Sequence, residues 1–93
     1  MNYLQATANR IREQLDAEAT PPDANPLLLM YAVLVYAKAD ATTAEDVHNA
    51  WTAWMLMRGE EHESMRPFDE LSRDVQQEDE PFLRAIRTVA AQL

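Results

Sequence analysis

Leu27-Leu28-Leu29-Met30-Tyr31-Ala32-Val33-Leu34-Val35-Tyr36-Ala37 is an unbroken apolar run of eleven residues. A bilayer span needs about 20 residues, so the run is too short to cross a membrane. A helix that is apolar all round is buried on most of its sides. The run therefore reads as the central core helix of a small globular domain, with Pro26 in its first turn. Tyr31 and Tyr36 are expected to carry their hydroxyls to the edge of that core. A second copy of the chain docking through this helix remains open.

Outward from this run, apolar residues recur at helical spacing. Leu4, Ala8, Ile11 and Leu15 fall at i, i+4, i+7 and i+11, which predicts a helix over residues 2–18. Thr20-Pro21-Pro22-Asp23-Ala24-Asn25-Pro26 ends it, because proline lacks the N–H and blocks the preceding turn. Phe82, Ile86, Val89 and Leu93 repeat the same spacing at the other end, behind Pro81 at a helix start. No run alternates apolar and polar residues, and the chain has one glycine in 93 residues. The expected fold is all-α: a single domain, residues 1–93, of about four helices and a one-turn segment, with residues 1–38 forming an N-terminal helical part.

Between these helices lies Val47 to Phe68, V-H-N-A-W-T-A-W-M-L-M-R-G-E-E-H-E-S-M-R-P-F, which holds both tryptophans, both histidines and the only glycine. Ahead of it, Thr42 with Glu45 has capping-box spacing, and Thr43 with Asp46 is a close variant. The helix is expected to reach Arg58 and to end on Gly59 in the left-handed region. At about 100° per residue, Val47, Trp51 and Trp54 share one stripe, with His48 and Met55 on its border. Residues 60–66 read as a polar loop. Pro67 to Leu71 reads as one turn that plugs Phe68 and Leu71 into the core, and Ser72 caps a short helix reaching about Asp79.

Composition removes several functions. Without cysteine there is no disulfide, thiolate metal site or cysteine nucleophile. One glycine cannot build a dinucleotide or P-loop fingerprint. His48 and His62 lie among glutamates but lack His-x-x-x-His spacing, so no metal site and no cofactor is expected. Ser64 follows His62 closely, yet nothing supplies a third group to orient them, so no enzyme is expected. The net charge of −8 repels a phosphate backbone, so no nucleic-acid partner is expected. Nine of the sixteen acids lie between Glu60 and Glu80, against Arg66 and Arg73. That is a solvated acidic face or a surface for a basic protein. Met1, Asn2 and Tyr3 do not begin a secretory signal, and a cytoplasmic, membrane-free chain is expected.

Val47-His48-x-x-Trp51, Arg58-Gly59, His62, Met65-x-Pro67-Phe68-x-x-Leu71 and Asp79 resemble the RyR domain, a small helical module named for ryanodine receptor repeats. The resemblance spans Glu45 to Leu93. The whole chain also looks like short proteins of actinobacteria and their phages. Glu60 and Glu61 stand where the family loop carries aromatics and a second glycine, Phe68 replaces its tyrosine and Met65 its leucine. The resemblance implies a non-enzymatic module that holds a small nucleotide-like ligand. Its candidate contacts are His48, Trp51, Met55, Arg58 and Phe68. The alternative is an acidic protein-interaction module, with Glu60, Glu61 and Glu63 facing a basic partner.

Overall fold

In the computed structural model, which describes residues 2–93, the apolar run becomes α2 (Asn25–Ala37), with Pro26 in the first turn. Leu27, Leu28, Tyr31, Ala32 and Val35 are buried, while Val33 and Tyr36 are half-exposed. One side of α2 is thus open, less burial than its composition suggests. The reason is supply: α1 (Tyr3–Glu13), α3 (Ala44–Met57) and α5 (Glu80–Gln92) are the long helices that pack on it. Among the described residues no further long helix covers the remaining side. The short α4 (Arg73–Gln77) and 3₁₀ turns at Ala17–Ala19, Ala39–Ala41 and Phe68–Glu70 complete an all-α fold. Among the described residues there is no strand, and no helix is long and apolar enough to cross a membrane.

Asn2 caps α1, its side chain accepting from the Gln5 N–H at 2.8 Å. Thr7, Ala8 and Ile11 are buried. The helix stops short of the expected residue 18. The N–H groups of Gln14 and Leu15 bond three residues back, to Ile11 and Arg12, and so tighten the last turn. Asp16 is extended. The Thr7 hydroxyl meets the Tyr36 hydroxyl at 3.0 Å, so Tyr36 reaches the edge as expected. Tyr31, by contrast, is 1% exposed.

Thr43, not Thr42, forms the capping box with Asp46. Thr42 has other partners: its hydroxyl donates to the Ala39 carbonyl at 2.8 Å. Its own carbonyl accepts Nε and an Nη of Arg87 at 3.2 and 2.8 Å, tying α5 to the turn before α3. At the other end of α3, Gly59 has φ +72°. Its N–H bonds the Leu56 carbonyl at 3.0 Å and the Glu60 N–H bonds that of Met55 at 3.1 Å, a Schellman closure. On α5 the buried residues are Leu83, Ala85, Ile86 and Val89. Leu93, expected in that stripe, is exposed because α5 ends at Gln92 and Leu93 lies beyond its last turn.

Two positions outside the helices test this backbone. Gly59 is left-handed in open space, with nothing within 4 Å of an added Cβ. Gly59→Ala therefore loses about 1 kcal/mol of stability from backbone conformation alone. Ala39, at φ +49°, carries a Cβ in the same region. Ala39→Gly gains about 0.5 kcal/mol, the relief of that strain less the added entropy of the unfolded chain. Urea unfolding midpoints moving in opposite directions are the expected result.

Candidate functional site

A cleft of about 210 Å³ opens beside α3. His48 and Trp51 form its α3 wall, Leu27 and Tyr31 come from α2, and Ala19 and Pro21 from the segment before α2. His62 and Ser64 come from the loop after Gly59, and Val75, Glu78, Asp79 and Phe82 from the junction of α4 and α5. Four separate stretches of chain thus meet there.

His48 is the hinge of this assembly. It is 3% exposed, and its Nε2–H donates to the Arg66 carbonyl at 2.6 Å. A carbonyl only accepts, so Nε2 carries the proton and Nδ1 is the acceptor of the neutral ring. That bond draws the polar loop onto α3. The His48 ring lies 5.7 Å from the Trp51 ring and 6.0 Å from Phe68. On the other side, His62 meets Trp51 edge-on at 5.5 Å. His62 Nδ1 accepts the Ser64 backbone N–H at 3.0 Å, which folds the loop back on itself.

Opposite these rings are two polar groups without partners. The Asp79 carboxyl is half-buried and makes no hydrogen bond or ion pair among the described residues. Burial pushes it up to about 6; His48 draws it down, and Glu78 and Glu80 push it further up. The Tyr31 hydroxyl also has no hydrogen-bond partner among the described residues, although the residue is 1% exposed. Burial, and then the charge of Asp79, hold its pKa above the ordinary tyrosine range, so it stays a donor. Among the described residues the buried side-chain polar atom without a partner is Thr52 Oγ1, outside this lining; the Tyr31 and Asp79 groups open on the cleft, where solvent or a ligand can reach them.

The residues singled out from sequence divide. His48 and Trp51 line the cleft, whereas Met55, Arg58 and Phe68 do not. Met55 packs against the core. The Arg58 guanidinium lies 4.4 Å over the Trp54 ring, one turn from Trp51. It also binds Asp23 at 2.6 Å and Glu60 at 3.2 Å, and its hydrogen bond holds the Asp23 carboxyl below the usual range. Arg58 thus ties the end of α3 to the proline segment. Phe68 sits against His48 and supports it. Glu61 and Glu63 are exposed and form no ion pair among the described residues, while Glu60 is engaged by Arg58. Sequence reasoning missed Tyr31, Asp79 and His62 as companions of Trp51. From sequence, Tyr31 reads as a core residue with its hydroxyl at the edge, and His62 and Asp79 as elements of the RyR-like spacing; none is placed beside Trp51. Among the described residues, no group of three or more histidines and acids is placed to hold a metal ion.

The folded-state pKa of Asp79 exceeds the unfolded value of about 3.9, so the native chain holds this proton more tightly. Its contribution to stability is fully present below about pH 4 and is lost as pH rises toward 6. Ionised Asp79 therefore destabilises the domain at neutral pH, by about 1–2 kcal/mol once partial exposure is discounted. Asp79→Asn is expected to stabilise the domain by that amount at neutral pH and by little below about pH 4. Urea titrations at both pH values check it; equal stability of the two proteins at neutral pH would refute the shift.

No curated protein and no solved structure matches the chain. A family model does match, over residues 2–91, and it is not the RyR domain. The resemblance to the RyR domain is thereby corrected. Its elements are short, and the structure gives several of them ordinary duties of helical packing: Val47 is core, Gly59 closes a helix, and Ser72 rather than the proline turn starts the next one. The match also takes in α1 and α2, which lay outside the resemblance. The chain belongs to the family described as Domain of unknown function (DUF7701).

Proposed function

We propose that the chain is a non-enzymatic ligand-binding domain and that the cleft beside Trp51 receives a small ring-bearing molecule. The observation that carries this reading is the pairing of an aromatic wall with the unpartnered Tyr31 hydroxyl and Asp79 carboxyl. An apolar cavity of about 150 Å³ holds benzene, so 210 Å³ admits one ring with a polar substituent. Trp51, His48 and His62 offer π surfaces for such a ring. A nucleobase has the right shape; a phosphate is opposed by Asp79 and Glu78, which narrows the nucleotide-like reading to its base. The non-enzymatic part rests on Ser64 and His62, the one adjacent hydroxyl and imidazole. His62 Nδ1 takes the Ser64 backbone N–H instead of its hydroxyl, so the ring is not set as a base toward that oxygen.

The two tryptophans make the test direct. Trp51 lines the cleft, while Trp54 is 5% exposed and covered by Arg58. In nitrogen-15 NMR titrations with ring-bearing compounds, the Trp51 indole N–H resonance shifts and that of Trp54 stays. Trp51→Ala abolishes the response, with the Trp54 resonance reporting that the fold persists. Movement of both indoles together, or of neither, would remove this reading.

A second reading, docking of a basic protein, is favoured by the exposure of Glu61 and Glu63 without ion pairs among the described residues. Attraction of that kind weakens with salt. Changing Glu60, Glu61 and Glu63 to lysine should then remove capture of polylysine and leave the Trp51 response unchanged. Capture that persists at high salt would contradict it.

A further inference from the structure

The cleft is selective in charge as well as shape. One of its walls is aromatic: Trp51 stands between His48 at 5.7 Å and His62 at 5.5 Å. Asp79 shares this lining; burial raises its pKa most, His48 draws it down, and Glu78 and Glu80 push it further up. Among the described residues no lysine or arginine lines the space. Of the bases near it in sequence, Arg58 pairs with Asp23 and Glu60 and Arg66 with Glu70, while Arg73 and Arg84 are outside its lining. Tyr31, 1% exposed, brings a hydroxyl that has no protein partner among the described residues and that feels the charge of Asp79. Aromatic faces attract cations through their quadrupole. A carboxylate removed from water and held among like charges gains most from an opposite charge delivered with hydrogen-bond donors.

We infer that the cleft takes a small organic cation bearing N–H donors, a protonated amine, amidinium or guanidinium, seated among the Trp51, His48 and His62 rings with its donors on Asp79. This rests on the reading of the cleft as a ligand site and names the class of ligand. Tyr31 completes the fit, since a hydroxyl can both accept from such a group and donate to a neighbouring acceptor. Anions and phosphates are excluded by Asp79 and Glu78. Neutral rings would leave the carboxylate without its counter-charge.

Acidity should govern the affinity. A cation binds the ionised form of Asp79, whose proton is lost near pH 6 in the free domain. His48, His62 and Glu78 share the cleft, and Glu80 lies next to Asp79. Tyr31 remains protonated throughout. Protonation of Asp79 therefore weakens binding as pH falls.

The probe is benzamidinium, followed by the Trp51 indole resonance in the intact chain. Its affinity is expected to rise about tenfold from about pH 5 to about pH 7, in step with ionisation of Asp79. Asp79→Asn, expected to be the more stable protein at neutral pH, should lose at least about tenfold in affinity and flatten the pH dependence. Adenine, neutral at pH 7, and its monophosphate should bind more weakly than benzamidinium. A glycine-flanked arginine peptide separates two sources of the same chemistry. Tighter binding of the peptide assigns the site to a polypeptide side chain, and tighter binding of benzamidinium to a free metabolite; both support a cation site. Adenine matching or exceeding benzamidinium, or full affinity in Asp79→Asn, overturns the cation inference while leaving the ligand site intact. Silence of Trp51 to every probe overturns both.

Discussion

An apolar run of eleven residues in a chain of 93 sets the terms for the rest of this molecule. Burying it requires neighbours on several sides, and only α1, α3 and α5 are long enough to serve. The buried faces of all four helices join in one core that includes Ile11, Leu28, Tyr31, Val47, Ile86 and Val89. Connections then have to run where the helices leave room. The Arg87 guanidinium on the Thr42 carbonyl, and Arg58 against Trp54 and Asp23, fasten two of these crossings with charge-assisted bonds. Neither bond lies in the cleft, yet both determine how α3 is presented to it.

After Gly59 turns the chain out of α3, a polar loop has to return along the helix it has just left. His48 meets it with one short hydrogen bond to the Arg66 carbonyl. With Nε2 committed in this way, the ring is oriented between Trp51 and Phe68. Trp51 is then kept half-exposed, while its neighbour Trp54 is taken into the core. Two tryptophans three residues apart have thereby been given different tasks. Local stability is sacrificed at Asp79, where a carboxyl is held partly out of water without a partner. Such unrelieved groups concentrate at functional sites.

The helices themselves were legible because their signals are local. Thr43 with Asp46, Gly59 after Arg58, Ser72, and Pro26 and Pro81 in first turns each act through a neighbouring backbone group. The errors were those in which a local signal had a distant competitor. Thr42 could have capped α3, but Ala39 and Arg87 claim it. Leu93 fits the stripe of α5 but lies past its end. The RyR-like spacing was real as a string and did not identify the family, because capped helices and proline turns produce similar strings in unrelated chains.

Sequence by itself determined an all-α chain, a core helix within residues 27–37 though not its open side, and His48 and Trp51 as neighbours on one helix. Periodicity and capping act over a few residues, and such interactions can be read in one dimension. Tertiary structure alone decided that Arg58 leaves Trp51 for Trp54, and that Tyr31, His62 and Asp79 gather around Trp51 in its place. Those residues are separated by tens of positions and brought together by the packing of α2, α3 and α5. Which polar groups are left unpaired there is a property of that packing, since a donor or acceptor is known to lack a partner only once all of its neighbours are in place.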